Sequence, residues 1–371
     1  MKFTIKKEEF LKGLSRVQSV ADRRNTMPIL SNVLIESGEG GITVTATDLE
    51  IGLRGVYEAQ VEEPGGVAIS ARKLFEIVRE LPAEEVSFET AENNWATIKS
   101  GSAVFKFTGL PKEEFPALPD MEGPEFVPVD AHLMRELIRK TIFAAGDNDT
   151  RYVLNGIFMS LAKDADGATI QMVGTDGHRL AVIKKKLEAD ISAQGGSAII
   201  PKKSASELKK LLDEDEGELM MAMSKNHIVF RLGPLYMVTR LIEGNYPNYE
   251  QVIPATNDKT VNVDKGLLSS ALKRVSLLSR ERTNAVKFSL ADAKAVLSSQ
   301  NPEMGEAHED LAVAYKGDEM EVGFNAKYLL DALSAMDSDN VVLLLKDSLS
   351  PCIISQADDG GYRCVVMPMR V

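Results

Sequence analysis

Cysteine and histidine are scarce in this chain, which limits the chemistry that it can support. Among its 371 residues are two cysteines, Cys352 and Cys364, and four histidines that lie far apart in the sequence. A structural zinc site needs clustered thiolate or imidazole ligands, so we expect no metal site. Two cysteines near the C-terminus are more typical of small strand residues in a reducing cytosol than of a disulfide bond.

Long apolar runs and nucleotide-binding motifs are also missing. The first ten residues, MKFTIKKEEF, hold no apolar run of signal-peptide length. No stretch approaches the roughly 18 consecutive apolar residues of a membrane span. The phosphate-cradling motif Gly-x-x-x-x-Gly-Lys-Ser/Thr does not occur, so an ATP-driven step would depend on a separate protein. We therefore expect a cytoplasmic protein that binds no cofactor and no membrane.

What the chain does contain is one sequence pattern repeated three times. Asp48, Asp176 and Asn301 hold equivalent positions in it, 128 and 125 residues apart. Each is followed by a further shared segment that introduces a helix, such as GGVAIS in the first copy and GGSAIIP in the second. Self-similarity at so long a period indicates three copies of one domain rather than a solenoid of small repeats. This architecture suits a scaffold better than an enzyme with one unique active site.

Within each copy the hydrophobic period changes between helical and extended. Phe10, Leu14 and Val17 fall on one face of a helix, whereas residues 42–47 alternate as a strand does. Ser70 is a predicted N-cap of the second helix. Each copy should hold two helices and about eight strands as two β-α-β-β-β halves, so the predicted fold class is α+β. The predicted helical windows are 7–24, 70–81, 130–144, 201–212, 264–282 and 325–336, and polar Pro/Gly-rich segments predict domains at 1–124, 125–252 and 253–371.

Charge is distributed unevenly between the helices and the rest of the chain. The formal net charge is −12, which by itself argues against a nucleic-acid partner. The six helical windows, however, hold 21 Lys and Arg against 11 Asp and Glu, whereas the remainder holds 22 against 44. Ordinary solvated helix faces are one explanation. A surface that is basic only where equivalent helices gather instead indicates a polyanion, contacted through its phosphates without sequence preference.

Seven motifs give the chain a resemblance to a known family. They are NTMPILSNVLIE at 25–36, TDLEIGL at 47–53, RYVLNGI at 151–157, GTDGHRLAV at 174–182, EGNYPNY at 243–249, EVGFNAKYLLD at 321–331 and VVMPMRV at 365–371. With these motifs the chain resembles the bacterial DNA polymerase III beta subunit, the beta sliding clamp, along its whole length. The combination of GTDGHRLA with a C-terminal VMPMR is the most specific part of the resemblance.

The resemblance implies three tandem copies of a DNA-clamp domain in a head-to-tail homodimeric ring around duplex DNA, with helices inside and sheets outside. Such a ring closes only if the rotation per subunit closes, which six similar domains would provide. It would be a non-catalytic processivity factor that tethers the polymerase and so raises its effective concentration. The implied partners are double-stranded DNA, the DNA polymerase III alpha subunit, the clamp loader complex, other DNA polymerases, and mismatch-repair and ligase-type proteins.

The charge pattern and the resemblance together predict a set of DNA-binding residues. For any single member, ordinary surface charge is the alternative explanation, and the set is better supported than its members. The predicted DNA-binding residues are Lys12, Arg24, Arg79, Arg151, Lys202 and Lys203.

The resemblance also implies a groove between the second and third domains that receives a short peptide from partner proteins. Proline cannot donate to a sheet ladder, so the last residues should leave the sheet and present two methionines, which adapt to varied partners. The alternative is that VVMPM is a terminal core strand. Gln251 and Thr283 stand where some relatives carry a basic and an aromatic residue. The matching groove positions are Leu154, Thr175, Gly177, His178, Arg179, Leu180, Pro247, Val252, Asn325, Tyr328, Val365, Met367, Pro368, Met369 and Arg370.

Ring closure requires an interface between the first domain of one chain and the third domain of the other. Alternating phenylalanines on an edge strand would meet leucines of the other chain, and a lysine would face an acidic run that also contains Glu309. Ordinary core packing of the phenylalanines is the alternative. The predicted interface residues are Lys73, Phe105, Phe107, Leu277, Leu278, Glu303 and Glu306.

Two other functions are weighed against the clamp. An enzyme could use Asp176, His178 and Arg179 as an acid–base cluster. The sequence TDG is instead typical of a tight turn, and the Thr-Asp pair at 47–48 recurs without a histidine. A scaffold that binds only proteins is the second alternative, and salt-dependent retention on circular but not linear DNA would exclude it.

Overall fold

The structure is a computed structural model that describes residues 1–21, 27–119, 125–165, 167–189, 195–214, 217–280, 283–356 and 361–370. These residues form two compact units. Unit 1 comprises Met1–Leu133 with Ser206–Leu241, and unit 2 comprises Met134–Ala205 with Ile242–Val371. The second copy of the repeat therefore contributes strands to both units, and the domain boundaries drawn from the sequence remain a prediction.

Every predicted helical window contains a helix. Across the described residues the helices are α1 (Lys7–Gln18), α2 (Ala71–Glu80), α3 (Ala131–Arg139), α4 (Lys202–Glu214), α5 (Lys265–Val275) and α6 (Ala326–Ala335). Three windows were drawn too long: α1 ends at Gln18, and α3 and α5 give way to the 3-10 turns Ile142–Ala144 and Ser276–Leu278. Beyond α3, Thr141 Oγ1 donates to the carbonyl of Leu137 at 2.7 Å, a local bond that competes with helix continuation.

The predicted N-cap position of α2 is confirmed at Ser70, but its side chain does not cap the helix. Ser70 occupies the N-cap position but makes no side-chain cap hydrogen bond. It is the last residue of an extended strand and lies opposite Asn32 in a β-ladder, so the sheet fixes its backbone. By contrast, Asp264 and Asn325 do accept backbone N–H groups at the starts of α5 and α6.

The strands of the described residues alternate with these helices as predicted. They are β1 (Lys2–Lys6), β2 (Asn32–Gly38), β3 (Gly41–Thr47), β4 (Ile51–Tyr57), β5 (Gln60–Glu63), β6 (Gly65–Ser70), β7 (Glu85–Thr90), β8 (Trp95–Ser100), β9 (Ala103–Thr108), β10 (Val127–Val129), β11 (Gly156–Asp164), β12 (Gly167–Thr175), β13 (Arg179–Leu187), β14 (Gly196–Pro201), β15 (Leu219–Met223), β16 (His227–Leu232), β17 (Leu235–Arg240), β18 (Lys259–Asp264), β19 (Ala285–Ala291), β20 (Lys294–Asn301), β21 (Gly305–Ala312), β22 (Met320–Asn325), β23 (Asn340–Leu345), β24 (Cys352–Gln356) and β25 (Tyr362–Val366).

Unit 1 contains two antiparallel sheets. A five-stranded sheet has the order β5-β1-β7-β8-β9, and an eight-stranded sheet has the order β10-β15-β16-β17-β4-β3-β2-β6. Strand β4 of the first copy pairs with β17 of the second, so one sheet continues from copy to copy. The apolar face of α1 places Phe10 against Phe3 and Phe88, whose rings stack with centroids 4.9 Å apart. The helical period predicted for α1 therefore marks its buried face.

Unit 2 repeats this plan. Its eight-stranded sheet has the order β14-β11-β12-β13-β25-β24-β23-β18, and its four-stranded sheet has the order β21-β20-β19-β22. Strand β13 of the second copy pairs with β25 of the third. On one face of the larger sheet, Leu180 and Val365 belong to a buried cluster against which Tyr246, Tyr249 and Ile253 pack. The segment after Leu241 thus covers part of this face and leaves the rest to the site described below.

Both cysteines lie inside unit 2 as free thiols. Cys352 is on β24 and Cys364 is on β25, and both side chains are buried. The Cys364 thiol donates to the Tyr362 hydroxyl at 3.1 Å. Burial raises the pKa of Cys364 to about 12 and raises that of Cys352 as well. Among the described residues, no helix is both long and apolar enough to cross a bilayer.

Both thiols are therefore expected to resist modification while the protein is folded. At pH 8 a disulfide reagent such as DTNB should react with neither cysteine in buffer and with both in 6–8 M urea, since the thiolate is the reactive form. Absorbance of the released chromophore measures the reaction. Equal rates with and without urea would contradict the burial of these strands.

Candidate functional site

A tight turn between β12 and β13 is the framework of the site. Thr175 Oγ1 donates to the carbonyl of Arg179 at 2.6 Å. Asp176 Oδ1 accepts from the backbone N–H groups of His178 at 2.9 Å and Arg179 at 3.1 Å. Gly177 has a φ of 84°, which a glycine adopts without steric cost. The carboxylate of Asp176 is thus used to build the turn, as the TDG sequence predicts.

The side chain of Arg179 is held rigidly beside this turn. Its Nε donates to Asp176 Oδ2 at 3.0 Å, and one terminal nitrogen donates to Asp331 Oδ2 at 2.6 Å. The guanidinium carbon lies 4.5 Å from the centre of the Tyr328 ring and 5.6 Å from that of Phe143. Two carboxylates and two aromatic rings therefore fix a nearly buried cation in one orientation.

A cavity of about 200 Å³ opens next to Arg179. Leu180 and Val365, directly opposite each other on β13 and β25, form part of its apolar wall. Nine of the predicted groove residues line it, and three further residues complete the wall. The lining residues are Arg151, Leu154, Thr175, Gly177, Arg179, Leu180, Pro247, Asn248, Tyr249, Val252, Val365 and Met367.

The chain leaves the sheet after β25, as predicted from Pro368. The N–H of Met367 donates to the carbonyl of His178 at 2.9 Å, and the N–H of Met369 donates to that of Gly323 at 2.8 Å. Met367 therefore reaches the cavity, whereas Met369 forms an isolated bridge with Gly323 of β22. Only the first two residues of VVMPM, Val365 and Val366, belong to a core strand. The alternative that the whole segment is a terminal core strand therefore holds for these two residues alone.

The other predicted groove residues lie outside the cavity wall. The Asn325 side chain accepts from the N–H groups of Lys327 and Tyr328 and so caps α6. The His178 ring is stacked on the Tyr328 ring, with centroids 6.4 Å apart and planes 18° apart. Pro368 and Met369 are half-buried and Arg370 is exposed. These residues support the neighbourhood of the cavity without lining it.

Arg151 was predicted for DNA contact, but it lies in the cavity wall. It forms an ion pair with Asp149 at 2.8 Å and donates to the Asp176 carbonyl at 2.8 Å. Its hydrogen bonds lower the pKa of the Asp149 carboxyl to about 2. A Cβ atom at residue 177 would lie 2.6 Å from the guanidinium, so Gly177 is needed for this close approach. Sequence reasoning also missed Asn248 and Tyr249, although both fall in the EGNYPNY motif.

The other predicted DNA-binding residues differ in exposure and in their neighbours. Lys12 on α1, Arg79 on α2 and Lys203 on α4 are exposed, and Arg79 forms an ion pair with Glu80 at 3.0 Å. Lys202 instead donates to the Ala145 carbonyl at 2.8 Å and forms an ion pair with Asp147 at 2.9 Å. The remaining candidate, Arg24, lies outside the described residues.

The predicted interface phenylalanines lie on an unpaired sheet edge. Strand β9 is the last strand of its sheet. Phe105 and Phe107 stand opposite Ile98 and Ala96, so they share the face that carries the core. Phe105 is nevertheless 38% exposed and Phe107 is half-buried. Ordinary core packing therefore does not account for Phe105.

The predicted partner surface in unit 2 is also exposed. Strand β21 is the edge of the four-stranded sheet. Beside it, Leu277 is 76% exposed and Leu278 is half-buried. Glu303 and Glu306 are exposed, whereas Glu309 is paired with Arg274. In unit 1, Lys73 is exposed and pairs with Glu76 at 3.0 Å.

Repeated α+β domains and an apolar cavity beside a tightly hydrogen-bonded turn are typical of a protein that binds partners. Comparison with known proteins gives the family. Models of the N-terminal, central and C-terminal domains of the DNA polymerase III beta subunit match residues 1–119, 128–248 and 250–370. The chain therefore belongs to the family of the DNA polymerase III beta subunit, the beta sliding clamp.

Individual relatives agree along the full length. The chain is 36% identical to the beta sliding clamp of Pseudomonas aeruginosa and 35% identical to that of Escherichia coli K12, with all of each chain covered. The crystal structure of the sliding clamp of Bartonella birtlesii bound to griselimycin matches with a TM-score of 0.94 at 36% identity, covering all of both chains. That of the Bacillus subtilis sliding clamp matches with a TM-score of 0.93 at 30% identity, covering 100% of this chain and 99% of the other.

Family membership confirms three of the sequence predictions. The chain consists of three tandem clamp domains of α+β class. It is a DNA sliding clamp, the processivity subunit of DNA polymerase III. The family is non-catalytic, so the chain is not an enzyme and the acid–base alternative at Asp176 and His178 is wrong. The Asp176 carboxylate instead holds the turn through backbone hydrogen bonds.

Proposed function

We propose that two copies of this chain associate head to tail and close around duplex DNA. The observation that carries the proposal is the internal triplication, which the three family models match in order along the whole chain. Closure of two such chains would pair edge strands β9 and β21, which otherwise invite aggregation. The proposed domains are 1–124, 125–252 and 253–371, with each division falling within a few residues of the ends of the family models.

DNA would be held topologically, with only weak contacts to its phosphates. The exposed cations Lys12, Arg79 and Lys203 support this contact, because Lys and Arg on helices of an acidic chain concentrate positive charge. Arg24 and Lys202 belong to the same proposal. Arg151 is the weakest member, since its guanidinium is engaged by both Asp149 and the Asp176 carbonyl and lies in the cavity wall. Contacts of this kind are exchangeable, so they would permit sliding.

The cavity beside Arg179 is the proposed docking site for a short peptide of partner proteins. Its apolar wall at Leu180 and Val365 suits aliphatic or aromatic side chains, and Met367 can adapt to several of them. The proposed partners are the DNA polymerase III alpha subunit, the clamp loader complex, other DNA polymerases, and mismatch-repair and ligase-type proteins. Griselimycin, which is bound to the Bartonella birtlesii clamp, is proposed to occupy the same cavity here. The cytoplasm, where the chromosome of a bacterium lies, is the proposed location.

The ring is tested by its retention on DNA. The protein is loaded on nicked circular DNA with a clamp loader and ATP, the DNA is then linearised, and retention is followed by gel filtration. A topological link predicts stable retention on the circle and loss after cutting. Retention after cutting would mean ordinary binding and would overturn the ring. A scaffold that binds only proteins would not be retained on either form.

The proposed interface is tested by a charge at Phe105. Phe105→Asp places an unpaired carboxylate in an apolar contact, which should cost about 3 kcal/mol and weaken dimerisation about 100-fold. Sedimentation equilibrium measures the dissociation constant. Lys99→Asp is the matched control, because Lys99 is exposed on the interior strand β8, one strand away from the proposed interface. If both variants dimerise equally well, Phe105 does not lie in the interface.

A further inference from the structure

The turn that frames the cavity has a second copy in unit 1, before β4. There, Thr47 Oγ1 donates to the carbonyl of Ile51 at 2.8 Å, and Asp48 Oδ1 accepts from the N–H of Ile51 at 2.6 Å. Thr175 and Asp176 make the corresponding bonds in unit 2, at 2.6 and 3.1 Å. The two turns therefore share their hydrogen-bond pattern as well as their sequence.

The match extends to residues whose side chains differ. Leu49 has a φ of 72°, close to the 84° of Gly177, although this conformation costs energy for a leucine. The carbonyl of Glu50 accepts from the N–H of Arg240 at 2.9 Å. In unit 2, the residue after Gly177 accepts from the N–H of Met367 at the same distance. In each unit a carbonyl of the turn thus accepts a hydrogen bond from the backbone at the end of the neighbouring strand, β17 in unit 1 and β25 in unit 2.

The sheet surfaces beside the two turns are formed by residues in the same strand register. Gly52 on β4 comes five residues after Thr47 and lies opposite Val238 on β17. Leu180 on β13 lies opposite Val365 on β25, at the same offset from the second turn. The surface formed by Gly52 and Val238 in unit 1 is therefore equivalent to the cavity wall in unit 2.

In unit 1 this surface carries the side chain of Leu118. A Cβ atom added at Gly52 would lie 2.4 Å from Leu118 Cδ2, so the missing side chain at residue 52 makes room for it. Leu118 packs on a buried cluster that contains Val238. The hydroxyl of Tyr236 donates to the carbonyl of Pro119 at 2.9 Å and holds the segment in place.

We propose that unit 1 carries a second, self-occupied copy of the peptide site, in which Leu118 fills the position that an aliphatic side chain of a partner would take in unit 2. This inference rests on the proposed docking role of the unit 2 cavity. The internal ligand is the segment FPALP at 115–119, whose prolines favour an extended backbone. Its occupancy explains why a chain with repeated sites would offer one open site for partners rather than two.

Removal of the Leu118 side chain should expose the second site. The probe is N-acetyl-leucine methylamide, a single leucine side chain with blocked ends, titrated into the full dimer labelled at its Leu and Val methyl groups for NMR. In the unmodified protein, the methyl signals of Leu180 and Val365 should shift and those of Val229 and Val238 should not. In Leu118→Ala all of these signals should shift, and the stoichiometry should rise from one to two probes per chain.

Two further variants separate site opening from loss of structure. Leu118→Met keeps the volume that fills the site and should behave as the unmodified protein. Gly52→Ala in the Leu118→Ala background should close the opened site again, because the added methyl takes the room that either Leu118 or the probe needs, so the Val238 signal should not respond to the probe. Unshifted methyl signals elsewhere in the absence of probe show that each variant is folded.

The outcomes distinguish this inference from the proposed function. If Leu180 and Val365 respond in Leu118→Ala but Val229 and Val238 remain silent, the second site does not exist while the docking cavity stands. If Leu180 and Val365 do not respond in any protein, the cavity does not accept an aliphatic side chain. The docking proposal and the inference that rests on it would then both be overturned.

Discussion

Replacement of Lys140 by methionine is expected to lower the free energy of unfolding by about 3 kcal/mol, because it removes one partner of a buried charge network. Lys140 Nζ lies 3.0 Å from both Glu136 and Asp337, and its side chain is 1% exposed. It also lies 4.8 Å from the centre of the Tyr362 ring. The expected loss is at the low end for a buried pair, since both carboxylates retain contact with water. Methionine preserves the volume, so the loss reports the charge.

The loss should also depend on pH. Burial of Asp337 favours its neutral form, but the hydrogen bonds and charges of Lys140 and Arg139 together outweigh this and lower the pKa of its carboxyl, with Lys140 contributing the larger part. A lowered pKa stabilises the fold above the unfolded pKa, near 4, and the contribution disappears as the pH falls through the folded value. The difference between Lys140→Met and the unmodified protein should therefore be largest at neutral pH and shrink in acid.

Urea unfolding followed by circular dichroism measures this difference. Lys287→Met is the matched control, because Lys287 forms an ion pair of the same length with Glu321, but both side chains are exposed. Exposed pairs contribute about 0–1 kcal/mol. Equal unfolding midpoints for the two variants would show that Lys140 is not a buried charge partner.

Replacement of Arg179 by alanine is expected to weaken griselimycin binding at least about tenfold. Arg179 lines the cavity and is bound to Asp176 and Asp331. Its removal would leave two carboxylates without their cation and Tyr328 without the charge over its ring. Hydrogen bonds to charged groups contribute about 1.5–3 kcal/mol each. Without this cation the side chains of the cavity wall would be less ordered before binding. The ligand would have to order them, and this cost would lower its affinity.

Isothermal titration calorimetry checks this effect on the full-length dimer. Arg179→Lys should also lose affinity, because one ammonium cannot reproduce the fork that reaches both aspartates. Arg363→Ala is the control, since Arg363 is exposed on the adjacent strand β25 and does not line the cavity. An unchanged dissociation constant in Arg179→Ala would mean that the ligand binds elsewhere.

Local patterns in the sequence were sufficient to predict the helices. The positions of Phe10, Leu14 and Val17 depend on a period that any amphipathic helix shares. The ends of α3 and α5 were less predictable, because a side chain such as Thr141 can compete for a helix carbonyl. Ser70 shows the same limit, since a sheet partner rather than its own hydroxyl determines its backbone.

The candidate site likewise contains residues that local sequence predicts and residues whose positions depend on distant contacts. Thr175, Asp176 and Gly177 form a turn whose bonds span four residues, so their sequence was enough. Arg151 was predicted for DNA contact from the charge pattern and the resemblance, and its place in the cavity wall was not predicted, because it depends on Asp149 and on the turn carbonyl that hold the guanidinium there. Tyr249 was missed because its place in the wall depends on a sheet face built from distant strands.

The sequence by itself determined the triplication, the α+β class, the clamp family and most of the residues around the cavity, since these depend on short-range patterns and motifs. Only the tertiary structure decided which residues form the wall and which repeat of the site is open. Leu118 and Gly52 are 66 residues apart, and Val238 is 120 residues further on. Their packing depends on sheet register and on the space that a missing side chain leaves. No local pattern carries that information.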